Sequence, residues 1–289
     1  MTSVELVCDA RAELAEGPVW DRRTDELVWT DILAGAVHWL DPSTGKHRSM
    51  SVGQPVGALA MRAAGGYVLA LRDGIAVLSD VGELTFVSDV CGDQPSHRFN
   101  DAKCDANGCL WAGTLRLGSL RHGNATLFRI DAEHVVKPVL TGIGLSNGLG
   151  WSPDGKRMYF IDSLAGVDVF DFDERTGDLT ARRRLVTIPA DDGLPDGMCV
   201  DSDGYLWVAV YGSGEIRRYS SEGELDRVIA LPVSNPTSCA FGGTNLTELY
   251  ITTARKNQPP EELAVEPMSG GIFRCCLDVQ GLPSNMFAG

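Results

Sequence analysis

Positive charge is scarce in this sequence. Its 289 residues carry 25 Lys and Arg against 39 Asp and Glu, a net charge of −14. So acidic a surface repels phosphate backbones, which argues against nucleic acid as a partner. Long hydrophobic runs are missing too: no apolar stretch approaches the roughly 18–20 residues of a membrane helix. The opening MTSVELVCDARAEL has neither a basic start nor an apolar core, so it does not read as a secretory signal. The expectation is a cytoplasmic chain without a membrane partner, and a monomer. Helical periodicity is weak, and only "EELAVE" (261–266) looks even briefly helical. No CxxC occurs among the eight cysteines, which read as reduced, mostly buried thiols. The five histidines show no HxH or HExxH spacing, which disfavours a His-rich zinc site. GxSxG and the phosphate-cradling GxxxxGKS/T are also absent, so neither an elbow-type serine esterase nor a P-loop is expected.

What the chain has is many short apolar runs rich in Val, Trp, Tyr and Phe, such as "ELVWTD" (26–31) and "GYLWVAVY" (204–211). Turn dipeptides separate them, the habit of an all-β protein. One pattern recurs: an apolar pair, a turn, then an aromatic-rich strand. It appears in "EGPVWDRRTDELVWTD" (16–31), "VGALAMRAAGGYVLAL" (56–71) and "NDAKCDANGCLWAGT" (100–114). It returns in "NGLGWSPDGKRMYFID" (147–162), "DGMCVDSDGYLWVAV" (196–210) and "PTSCAFGGTNLTELYIT" (236–252). The starts lie 40, 44, 47, 49 and 40 residues apart. Six such units, each with room for four short strands, predict a six-bladed β-propeller over residues 1–289 as one domain. Outer hairpins are expected to turn at Pro42–Gly45, Glu174–Gly177 and Glu222-Gly223. The segment "VELVCD" (4–9) is expected to join the last blade beside "GGIFRCCLD" (270–278).

The first residues of the six units are Glu16, Val56, Asn100, Asn147, Asp196 and Pro236. In a propeller the innermost strands line the central channel, so these positions converge near the axis at one face. Four carry side-chain oxygens. Carboxylates aimed at one another repel, and burying them unpaired is costly. A divalent cation resolves the conflict, and an all-oxygen set with open positions suits a catalytic ion. On this reading Asn147-Gly148 is not a turn. The turn falls at Pro153–Gly155, and Gly148 lets crowded strands approach. "DSDG" (201–204) reads as a hairpin turn, since no bidentate Glu follows at the twelfth position of a calcium loop.

The stretches "AEGPVW" (15–20), "RFNDAKCDANGCLWAGT" (98–114), "LSNGLGWSPDGKRMYFIDS" (145–163) and "GLPDGMCVDSDGYLWVAV" (193–210) resemble the SMP-30/gluconolactonase family. The resemblance runs over nearly the whole chain. It implies a six-bladed propeller that hydrolyses sugar lactones, most like bacterial aldonolactonases, with xylonolactonase the best single guess. It also implies metal ligands at Glu16, Asn147 and Asp196, with Arg98 and Asn100 contacting substrate. Asp196 is the candidate general base, Arg98 and Asn100 donate to sugar hydroxyls or a developing oxyanion, and Asp101 braces the site. Fe2+ or Mn2+ is expected ahead of Zn2+, Ca2+ or Mg2+. One departure stands out: "RLGSLRHGN" (116–124) lacks the acid some members use to bind sugar. The competing readings are a non-enzymatic, calcium-regulator-like or scaffold propeller, and a propeller hydrolase of other esters or organophosphates.

Overall fold

Runs of β-branched and aromatic residues between tight turns become strands because their side chains pack well on a pleated surface. The computed structural model describes residues 3–91, 94, 96–118 and 121–289. Among the described residues these runs form six four-stranded sheets in which neighbouring strands pair antiparallel. Each sheet is one blade. The inner strands are Ala15–Asp21, Val56–Met61, His97–Cys104, Ser146–Trp151, Leu194–Val200 and Pro236–Gly242. Each packs against the inner strands of the two flanking blades, closing a ring. The six-bladed propeller expected from the repeat is the observed fold.

The ring closes across the termini. The last blade takes strands Pro236–Gly242, Glu248–Thr253 and Ile272–Cys276 from the end of the chain. Its outer strand is Glu5–Cys8, paired antiparallel with Ile272–Cys276. That is the pairing expected for residues 4–9. The outer hairpins turn between Asp41 and Lys46, Asp173 and Asp178, and Tyr219 and Leu225, as the sequence predicts. Helix is confined, among the described residues, to Pro260–Val265 and one 3-10 turn, Ala190–Asp192. Trp29, Trp111 and Trp207, on second strands, are fully buried between blades. All eight cysteines are free thiols. Cys275 is buried and Cys276 exposed, the alternation of one strand.

Turn chemistry sets the first hairpin of each blade. Gly108, Gly155 and Gly204 sit at φ of 77°, 70° and 83°, a region costly for any side chain. In two blades a buried aspartate locks the turn. Asp105 accepts from the backbone N–H of Asn107 (3.0 Å) and Cys109 (2.9 Å) and from Trp111 Nε1 (2.8 Å). Asp201 repeats the pattern with Asp203 (3.0 Å), Tyr205 (2.9 Å) and Trp207 Nε1 (2.9 Å). "DSDG" is therefore a hairpin turn, its carboxylate already consumed. Gly148 is different: its φ is not positive. A Cβ there would sit 2.8 Å from Met198 Cγ and 2.9 Å from the Asp196 carbonyl oxygen. Glycine at 148 serves close packing of two inner strands, not a turn.

Candidate metal and substrate site

Two local devices build the entry to the inner strands. The first is a slip in register at the same point of every blade. It falls between Glu16 and Val19, Val56 and Ala58, Phe99 and Ala102, Ser146 and Leu149, Pro195 and Met198, and Pro236 and Ser238. Such bulges release residues from the ladder and re-aim their side chains. Asn100, Asn147 and Asp196 lie inside the slip, and Glu16 at its edge. The second device is a tether. The Asp31 carboxylate accepts the backbone N–H of Glu13 (2.9 Å) and Leu14 (3.2 Å), two residues before Glu16. Asp162 accepts those of Gly144 (3.0 Å) and Leu145 (3.1 Å), two residues before Asn147.

The side chains so positioned form one connected group. Arg98 Nη1 donates to the Phe99 carbonyl and to Asn100 Oδ1, both at 2.8 Å. Asn100 Nδ2 donates to Asn147 Oδ1 (2.8 Å) and to the Ser146 carbonyl (2.9 Å). Asn147 Nδ2 donates to Ser163 Oγ at 2.8 Å. Ser163 thus fixes the amide orientation, turning the Asn147 oxygen to the side where Asn100 lies. Arg98 is 3% exposed, yet its Nε has no partner. Burial pushes its pKa down to about 10.

Glu16 and Asp196 are both buried. Burial holds both carboxyls well above the usual range, and for each the nearby Asp101 carboxylate adds to the shift. The charge of Asp196 also bears on Glu16. Asp101 is itself raised by burial. Three carboxyls thus share a low-dielectric space, which is unfavourable unless cations offset them. Among the described residues no three His, Cys, Asp or Glu side chains form a metal-binding group. The donor set here is two carboxylates and an amide. Its excess negative charge, and an amide oxygen oriented by Ser163, fit a hard or intermediate divalent cation.

Three participants carry no repeat signature and are absent from the sequence-derived set. Ser163 follows the second strand of its blade. Tyr211 ends the second strand of the next blade; burial, with negative charge from Asp196, pushes its hydroxyl up to about 12. Its hydroxyl donates to the Lys256 carbonyl at 2.9 Å. Lys256 is a half-buried ammonium whose charged neighbours are Arg98, Asp196, Glu16 and Glu13. Its pKa is lowered, first by burial and then by Arg98. The signal for these three is topological: second strands end at the face where inner strands begin.

His97 makes local contacts, to the Asn124 carbonyl (2.9 Å) and Ser96 Oγ (3.1 Å). His122 is exposed, 3.7 Å from Asp162. The acid-free stretch 116–124 lies partly outside the described residues, at 119–120. A cavity of about 430 Å³ occupies the channel beyond the slot, lined by Asp101 and Lys103 but by none of Glu16, Arg98, Asn100, Asn147 or Asp196. No helix among the described residues is long and apolar enough to cross a membrane.

Residues 14–255 match the family described as the SMP-30/Gluconolactonase/LRE-like region. Regucalcin of Xenopus laevis is 38% identical over the full length of both chains. The solved structure of a calcium-binding protein, regucalcin, from Agrobacterium tumefaciens superposes with a TM-score of 0.94 at 25% identity, over 99% of this chain and 97% of that one. A luciferin-regenerating enzyme superposes with a TM-score of 0.92 at 30% identity, over the whole of both chains.

Proposed function

Because the chain belongs to the SMP-30/gluconolactonase/LRE-like family, we propose that it is a metal-dependent sugar lactonase. Its substrate on this reading is an aldono-lactone, with D-xylonolactone the first to try, opened to the aldonic acid by a monomeric enzyme. The observation that carries the reading is the pair of buried carboxyls, Glu16 and Asp196, beside an oriented Asn147 amide and a buried arginine with an unpartnered Nε. A scaffold has no use for that much uncompensated charge at its axis.

Glu16, Asn147 and Asp196 would hold one divalent ion, Fe2+ or Mn2+ ahead of Zn2+, Ca2+ or Mg2+. When bound, the ion polarises the lactone carbonyl and lowers the pKa of water. Asp196 would act as the general base toward the attacking water. Arg98 offers its unpartnered donor to the oxyanion or to a ring hydroxyl. Asn100 bridges Arg98 and Asn147, so it keeps the substrate-binding donor in register with the ligand set. Lys256 adds a second positive charge, which favours the anionic transition state and the carboxylate product.

The second reading is calcium binding without hydrolysis. It is favoured by the full-length similarity to regucalcin and by the Agrobacterium tumefaciens protein described as calcium-binding. One experiment separates the two. Acid release from freshly prepared aldonolactones is followed with and without chelator, then after adding back single metals. The lactonase reading expects chelator-sensitive turnover and an Asp196→Asn enzyme slowed by about 10²–10⁴-fold. Calcium binding with no acceleration on any sugar lactone would establish the second reading instead.

A further inference from the structure

Cys199 lies on the inner strand Leu194–Val200 of the fifth blade, and Cys239 on the neighbouring inner strand Pro236–Gly242 of the sixth. Their sulfurs stand 3.6 Å apart. Cys239 is buried and its thiol donates to the Trp207 carbonyl at 3.4 Å. Cys199 is half-buried. Both line the axial cavity of about 430 Å³, which Leu282 and Asn285 of the C-terminal segment also line. Lys103 lines the same cavity, its Nζ donating to the Met198 carbonyl at 2.7 Å, one residue from Cys199. Neither thiol is used by the proposed hydrolysis.

We propose that Cys199 and Cys239 are a reversible redox dithiol that hydrogen peroxide entering the axial cavity closes into a disulfide between blades five and six. The geometry is that of a nucleophile and a resolving partner. Cys199 reaches the cavity that Lys103 also lines, and Cys239 stands in contact with it. The Cys199 thiolate attacks one peroxide oxygen. The S–O bond forms as the O–O bond breaks, and the leaving hydroxide takes a proton as water. Cys239 sulfur then attacks the Cys199 sulfenic acid. The S–S bond forms, the S–O bond breaks, and the oxygen leaves with the Cys239 proton as a second water. Two thiols are oxidised and one peroxide is reduced to two waters, and a dithiol reductant reverses the change. Closure draws the sulfurs from 3.6 Å to about 2.05 Å.

The test treats the folded full-length protein with hydrogen peroxide, blocks remaining thiols by alkylation and maps disulfides by peptide mass spectrometry. The expected result is a cross-link joining the Cys199 and Cys239 peptides, with those two thiols lost together and regained with dithiothreitol. Cys199→Ser and Cys239→Ser each remove the cross-link, and the Cys239→Ser protein accumulates a Cys199 sulfenic acid that dimedone traps. The proposal is overturned if Cys104 and Cys109 supply the cross-link instead. It is equally overturned if Cys199 advances to sulfinic acid while Cys239 stays reduced, or if both thiols survive peroxide that oxidises the exposed Cys276.

Discussion

Glu16 and Lys256 show how single residues at the candidate site trade stability against chemistry. Glu16 is 5% exposed and its carboxyl is held well above the ordinary range by burial and by Asp196 and Asp101. Replacing it by an isosteric neutral amide removes that repulsion. Glu16→Gln is therefore expected to be at least as stable as the parent in chelator, and to lose both metal and lactonase activity. Thermal unfolding with chelator and a metal titration check this; retained metal affinity would remove Glu16 from the ligand set. Lys256 acts by charge. Its ammonium faces Asp196, Glu16 and Arg98 with its backbone carbonyl anchored by the Tyr211 hydroxyl. Lys256→Met keeps an unbranched side chain one atom shorter and deletes the charge. The expected result is a kcat/KM lower by roughly tenfold, about 1.4 kcal/mol, with the melting temperature little changed. Unaltered kinetics would make the lysine a bystander.

At the scale of elements, the turns were legible in the sequence and the bulges were not. D-x-x-G-x-L-W occurs at 105–111 and again at 201–207, and a tight turn from the aspartate to a positive-φ glycine follows from local chemistry alone. The slip at the head of each inner strand depends on how many residues face each other across two strands, which neither strand encodes by itself. The same logic divides the candidate site. Glu16, Asn100, Asn147 and Asp196 emerge from the sequence because the repeat stacks them in one slot. Ser163, Tyr211 and Lys256 come from second-strand ends and the connections after them, where blades differ in length and no slot repeats. The aspartate lock is open to test. Asp201 is fully buried and also accepts from Arg218 Nε at 2.9 Å, while Arg218 is 6% exposed. Asp201→Ala leaves the Trp207 N–H and Arg218 Nε without an acceptor, although Asp226 still pairs with Arg218 Nη1 at 2.8 Å, and the expected loss is about 2–3 kcal/mol, or roughly 5 °C in melting temperature. Asp203, more exposed and 3.3 Å from Arg218, is the control, and its alanine variant should cost less than about 1 kcal/mol. Equal losses from the two would show that the lock contributes nothing.

At the scale of the molecule, the propeller trades stability for a charged axis. Six inner strands close into a ring, and the closing blade borrows the strand Glu5–Cys8 from the other end of the chain. That closure holds Glu16, Asp101 and Asp196 in a common buried space instead of letting them separate into water. A pH dependence follows. Burial raises Glu16 and Asp196 above their unfolded values. The folded, metal-free protein therefore binds more protons than the unfolded chain between the ordinary carboxylate range and the raised values. Stability in chelator is then fully present below that window and is lost as pH rises through it. A bound divalent ion replaces those protons, so its stabilising effect should grow with pH. Melting temperatures measured in chelator and in saturating metal, from about pH 5 to about pH 8, should diverge as pH rises. In Glu16→Gln, which is expected to bind no metal, the divergence should disappear. A difference between the two curves that stays constant or shrinks toward high pH would mean that the buried carboxyls are not what the ion displaces protons from.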